Sequence, residues 1–504
     1  MKEEAGMMRR SPRRALVGLA AAGLVALFGS TAVAQENIYK NTDGLGADAG
    51  PTLNPGGSGQ VLYAGYYDVR AVNGDAQHNN IQILNSNTND TGRPECVQAD
   101  YDAGVAGETC YDPFGGVLAK VRFREAIDSE EVLDFVIALS CGEVWAGNIA
   151  LNEGGEPRIK STWPVYDAVL TDNQAVAITT SPRFSDGLKF VGADGVSAAD
   201  MSRGYIEIFA MESLNCEPDA GALSPDGIDT WTRIGGQPSN SISAEVFQVR
   251  AAAGVSHAYN ADAITRFVTG GFSIAPIDLL GAEQPNAFDC DVAGLGSPED
   301  CLASVSLALS KSQVVAQYDI DPITAGGTNV VFTLPNKLLY CPVNVANDPF
   351  QCDAAGEDVR VDIYDRWERF NTPEEPEPCT ESPCPPPAED SPTKLPYEVN
   401  IVSITADGST KNNADMAWSP DENLTQTSGW ITVDMTSDYQ SVLRHQEVNA
   451  NLSVLGTAVN GYRGLPTIAL VLQEFTNDTT AAGSTYGNTV PATTSQQVLL
   501  AGQS

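Results

Sequence analysis

The sequence predicts an all-β protein: an antiparallel β-sandwich, as one composite or two packed sandwiches, stapled by disulfides. Three observations lead there. Short runs of alternating apolar and polar residues recur along the chain with turn residues between them, and no helical period is sustained. Hydrophobic residues make up 42% of the 504, enough for a sizeable core, while Gly, Ser, Thr, Asn and Val favour strands joined by turns. Ten cysteines follow an N-terminal export signal, so the chain is expected where disulfides persist.

The export signal is read from residues 1–34. Arg9, Arg10, Arg13 and Arg14 form a basic start, residues 15–29 an apolar run, and Ala32-Val33-Ala34 a small-x-small cleavage site, so the mature chain is expected to begin at Gln35. No later segment is long and apolar enough to cross a bilayer as a helix. The formal charge is −37, and removing residues 1–34, with five basic and two acidic residues, takes it to −40. So large a negative field argues against nucleic acid and anionic lipid as partners, and favours solubility, cation binding or life in salt.

Residues 35–59 are rich in Gly, Asp and Asn and read as a loose leader. A strand follows over 60–72, with residues 80–85 (NIQILN) as its expected hairpin partner across Asn73-Gly74-Asp75. The clearest unit is 115–148, GGVLAKVRFREAIDSEEVLDFVIALSCGEVWAGN, two strands about an acidic turn. In the first, Ala119, Val121 and Phe123 alternate with Lys120, Arg122 and Arg124; in the second, Leu133, Phe135, Ile137 and Leu139 alternate with Val132, Asp134, Val136 and Ala138. The second strand's other face is mostly apolar too, and the strand is therefore expected to be central and covered on both sides.

Further strands are expected at 157–163, 174–179, 205–214, 241–251 and 263–272, completing an N-terminal region over 35–275. A C-terminal region over 276–504 has strand candidates at 305–319, 329–334, 358–364, 397–405, 430–435 and 466–475. Helix is conceivable only near 196–203 and 297–309. Residues 372–396 (TPEEPEPCTESPCPPPAEDSPTKLP) are acidic and proline-rich and read as a long surface loop, since proline lacks the N–H a sheet interior needs.

Proximity along the chain pairs Cys96 with Cys110, Cys141 with Cys216, Cys290 with Cys301, Cys341 with Cys352 and Cys379 with Cys384, although spacing alone does not fix connectivity. The second bridge would close the longest loop and stabilise most in the chain-entropy view, by roughly 4 kcal/mol. No C-x-x-C or zinc-like grouping occurs, which favours a structural role for the cysteines.

Three segments share a further likeness: 59–67 (GQVLYAGYY), 120–147 (KVRFRE, then LDF…LS…VW) and 328–338 (TNVVFTLPNKL). Together they resemble an uncharacterised family of exported β-rich proteobacterial proteins, whose third strand reads TDWVVTFPTK. Asn329, Leu334 and Asn336 depart from that pattern. The resemblance covers about a tenth of the chain and implies a secreted β-protein, with no activity to carry over.

No catalytic residue emerges. The three histidines, His78, His257 and His445, accompany no G-x-S-x-G elbow and no H-E-x-x-H. Calcium is the cofactor that loop oxygens and export favour. Its best candidate ligands are Asp289, Asp291, Glu299 and Asp300, drawn together if Cys290 and Cys301 bridge; Asp353, Glu357 and Asp358 are a second group. Surface acids beside a disulfide are the plain alternative. Lys120, Arg122 and Arg124 read either as an anion or partner site or, preferably, as a charge ladder with Asp134 and Glu125, contributing about a few tenths of a kcal/mol per pair.

The functional expectation is a secreted, acidic, non-catalytic structural or adhesive protein of the cell surface or matrix, self-associating or binding surface components, stabilised by calcium if the acidic cluster is a site. A carbohydrate-binding or carbohydrate-active protein is the alternative, to be sought at Trp163, Trp231, Trp367, Trp418 and Trp430 on an exposed face. A periplasmic binding module is the third reading.

Overall fold

The computed structural model describes residues 52–87, 115–161, 167–171, 174–178, 187–192, 196–214, 231–232, 240–265, 308–320, 325–335, 357–368, 393–420, 427–435, 459–463, 465–477, 484–495 and 497–500. All belong to one compact unit, Ala47–Ser504. Four sheets of five or six strands carry the fold. Sheet I runs Leu188–Lys189, Pro157–Ser161, Val144–Leu151, His78–Asn85, Ile242–Arg250, Val255–Asn260. Sheet II runs Thr52–Leu53, Asp262–Thr265, Val61–Asp68, Arg203–Leu214, Gly116–Glu125, Glu131–Leu139. Sheet III runs Met416–Trp418, Val399–Ile404, Ala325–Thr333, Ile468–Asn477, Ser484–Pro491, and sheet IV runs Thr393–Leu395, Glu357–Asp365, Ser428–Asp434, Gln313–Asp319, Thr493–Ser495. Within these four sheets the pairings are antiparallel except that of Val399–Ile404 with Met416–Trp418.

Sheet I packs on sheet II, II on III and III on IV, with the edge strands Val255–Asn260 of sheet I and Ser484–Pro491 of sheet III also in contact, and the side chains show why. Ile81 and Ile83 of sheet I, Leu62, Phe123 and Ile206 of sheet II, and Val331, Ile401 and Leu470 of sheet III share one apolar core. Val330, Val402 and Val471, the sequence neighbours of those last three or next to them, join Val314, Ile363, Ile431 and Val433 of sheet IV in a second core. Adjacent side chains on a strand point to opposite faces, so sheet III is covered on both. Its strand Val399–Ile404 is buried at every position, as are Val61–Asp68 and Gly116–Glu125 of sheet II. The outer strand Val255–Asn260 instead alternates buried and exposed. Two sandwiches packed face to face, with their inner sheets sealed, are the architecture.

The hairpin of 115–148 forms as expected, with Val117 opposite Leu139 and Val121 opposite Phe135. Its second strand is not central, however: Glu131–Leu139 is the edge of sheet II. Val132 and Val136 are buried because the layers cover them, and burial of a face does not require a hydrogen-bonded neighbour on each side. Among the described residues, the edge is met by the backbone bond from Val191 N–H to the Val132 carbonyl (2.7 Å).

The expected pairing of 60–72 with 80–85 does not occur. Val61–Asp68 pairs in sheet II, and His78–Asn85 pairs with Ile242–Arg250 and Val144–Leu151 in sheet I. The chain crosses between sheets after Asp68, whose carbonyl accepts bonds from Gln77 Nε2 (2.7 Å) and Asn79 Nδ2 (2.5 Å). Two amphipathic strands can pair or stack across a core, and the amides that satisfy this corner favour stacking. Of the two helix candidates, the first holds only a 3-10 turn, Asp200–Ser202, and of the second only residues 308 and 309 are described. No helix among the described residues is long and apolar enough to cross a membrane, which says nothing of strands.

Candidate functional site

The calcium candidates Asp289, Asp291, Glu299 and Asp300 lie outside the described residues, as do Asp353, His445, Trp163 and nine of the ten cysteines. Cys141 is disulfide-bonded; its partner is also outside them. Among the described residues no three His, Cys, Asp or Glu gather as a metal site.

Lys120, Arg122 and Arg124 occupy neither a surface ladder nor an accessible anion site. They are 1%, 0% and 2% exposed, on the face of sheet II turned away from Phe123 and its partners. Lys120 pairs with Asp134 (2.8 Å) and Arg122 with Glu131. Arg124 Nε donates to Glu207 Oε2 (3.0 Å) and Nη1 to the Ser129 carbonyl (3.1 Å). Burial opposes the charge of Arg124, but Glu207, Tyr205 and Glu131 together outweigh it and the pKa lies above that of a free guanidinium. Tyr205 stacks on Tyr63, donates to Ser129 Oγ (2.8 Å), and is pushed up by burial and by Glu207 and Glu398. The expected ladder partner Asp134 is in place, whereas Glu125 is not: its carboxylate accepts the turn N–H groups of Ile127 (2.6 Å), Asp128 (2.8 Å) and Glu130 (3.1 Å). Sequence reasoning missed Glu207, although a lone acid in the apolar run YIEIFAM pointed to a buried cation opposite.

That turn touches sheet III. The carbonyls of Ala126 and Ile127 accept from Val399 N–H (2.9 Å) and Glu398 N–H (3.3 Å). Other bonds ring the same junction. Arg203 Nη1 holds both oxygens of Asp415 (2.6 and 2.7 Å), Arg70 reaches the Asn413 carbonyl (3.1 Å), and Thr333 Oγ1 donates to the Gly65 carbonyl. At the far side, Arg250 of sheet I pairs with Glu474 of sheet III, and His257 Nδ1 meets the Asn488 carbonyl at 3.1 Å. These are positioning contacts between the two sandwiches.

The accessible candidate is the outer face of sheet IV. Inward residues Val314, Ala316, Ile363, Ile431 and Val433 fill the core, so their neighbours face outward. One rung across the face is Gln317, Trp430, Tyr364; the next is Val315, Thr432, Asp362; the third is Gln313, Asp434, Arg360. Tyr364 and Trp430 are half-buried and stack with centroids 5.2 Å apart at 8°. Past Tyr364, Trp367 is 58% exposed, with the Arg366 guanidinium 5.6 Å from its ring centroid. Of the other tryptophans named from sequence, Trp418 is buried against Phe332, and Trp231 lies in the short strand Trp231–Thr232. A stacked aromatic pair on a sheet face that also carries carboxylate, guanidinium and amide groups, with an exposed tryptophan just past the end of one of its strands, can grip a ligand that is apolar on one face and hydroxylated at its rim. Neither family models, nor curated proteins, nor solved structures match this chain.

Proposed function

We propose that the chain is an exported, non-catalytic structural or adhesive protein of the cell exterior. The observation that supports this reading is the sealed junction of sheets II and III. An apolar centre formed by Val331, Ile401, Ile468 and Leu470 is flanked by the Arg203–Asp415 and Arg250–Glu474 pairs, so the two sandwiches share one packed core. Such a body suits a spacer or anchor that carries a binding face rather than a hinged catalytic cleft. The basic start and the small-x-small site of residues 1–34, and the likeness to exported β-rich proteins, agree with it.

Cell fractionation and surface imaging, in cells with and without the gene, test the proposal. Recovery of the chain at the surface or in the matrix, with loss of attachment or surface material when the gene is removed, is expected. A chain retained in the cytoplasm with its N-terminus intact overturns it.

A further inference from the structure

We propose that the outer face of sheet IV binds a neutral polysaccharide; this rests on the adhesive reading for its biological setting only. Trp367 carries the argument first. A tryptophan 58% exposed gives up the burial its ring would otherwise gain. Its place is nonetheless fixed from beneath. Asp365 is fully buried; its Oδ1 accepts the Trp367 N–H (2.8 Å) and its carbonyl accepts the Glu368 N–H (2.9 Å), with Glu368 held at φ 64°. A buried carboxylate thus pre-orders the bend that presents an exposed ring, which lowers the ordering cost of binding.

The chemistry of the strip selects the ligand. Sugar rings offer C–H faces that lie on aromatic planes and hydroxyls that pair with carboxylates, amides and guanidinium groups. Tyr364, three residues before Trp367, stacks on Trp430 and leaves the pair one outer ring face each, and Asp362 and Gln317 stand on the same sheet face within one rung of that pair. Charge narrows the choice further. Asp319, Asp362 and Asp434 stand against Arg360 and Arg366, so the face carries no net positive charge on a chain of net charge −37. Polyanions are repelled by the whole molecule and find no net attraction on this strip, so an uncharged glycan is the occupant.

Affinity electrophoresis of the full mature chain tests this, in gels containing a soluble β-glucan, a mannan, a dextran, or alginate as the anionic control. Retardation by at least one neutral polysaccharide is expected, with a change in tryptophan emission on binding. Trp367→Ala, at an exposed site outside the core, should weaken it about tenfold, the loss of one stacking contact. Tyr364→Ala should weaken it as well, and thermal unfolding of both variants checks the fold. Absence of retardation by all three neutral polysaccharides overturns the proposal, as does retardation by alginate alone or binding unchanged in both variants. Localisation is measured separately, so export and glycan binding can each fail alone.

Discussion

Arg124 and Glu207 pair diagonally across neighbouring strands of sheet II, Nε to Oε2 at 3.0 Å, and both are buried. Removing one partner leaves the other charge buried and uncompensated, which costs about 3–5 kcal/mol. Glu207→Ala is therefore expected to lower the free energy of unfolding by that amount in a urea titration. The double variant Arg124→Met/Glu207→Leu should lose much less, because apolar groups of similar size suit a dry layer. Equal losses in the single and double variants would show that packing rather than charge pairing governs the site.

Glu125 gives the fold a dependence on alkaline pH. Burial first, and then a hydrogen bond shared with Asp128, push its pKa from 4.5 up to about 8, against the opposing pull of the Ile127 and Asp128 N–H groups. A folded-state pKa above the unfolded value means that the folded form holds the proton more tightly. The stabilisation is complete below 4.5 and is lost as pH rises through about 8. Because the same turn docks on Val399, the unfolding midpoint should fall over that window. Glu125→Gln, neutral at every pH, should flatten the profile; a wild-type profile that rises across the window refutes the assignment.

Alternation alone located most strands. The run KVRFRE and the run LDFVIAL each have a two-residue period on either side of one turn, so the hairpin was legible. What pairs with what at longer range was not. Val61–Asp68 and His78–Asn85 carry patterns compatible with pairing or with stacking, and the choice rests on strands more than a hundred residues away. The basic stripe misled for a related reason. Lys120, Arg122 and Arg124 look solvent-facing in the alternation, yet all three are buried in the fold, and no local pattern announces that cover. For the sheet IV strip, the aromatics were visible as residue types; their common face required the register that sets Trp430 opposite Tyr364.

Gly65 marks a close approach of the sandwiches. A Cβ there would lie 2.5 Å from Ile468 Cγ2, on a buried side chain in the shared core. Gly65→Ala should destabilise by about 1–3 kcal/mol through overpacking. Adding Ile468→Ala removes the atom in conflict, so the double variant should be more stable than the sum of the two single losses predicts. Strict additivity in thermal unfolding would place the strain elsewhere.

The junction of sheets I and III should give way first in acid. Burial disfavours the Glu474 carboxylate, but its hydrogen bond to His257 and the charge of Arg250 prevail, and the pKa falls below 4.5. The sign is opposite to that of Glu125: the stabilisation is present above the unfolded value and is lost as pH falls through the lower folded one. His257 reinforces this pair, because its Nδ1 must carry the proton to donate to the Asn488 carbonyl, and that carbonyl lies on the edge strand of sheet III. Glu474→Gln is expected to lower stability at neutral pH and to reduce its decline in acid, as followed by amide exchange in Val255–Asn260 and Ser484–Pro491. Protection of those two strands that is identical in both forms at every pH would disprove the clasp.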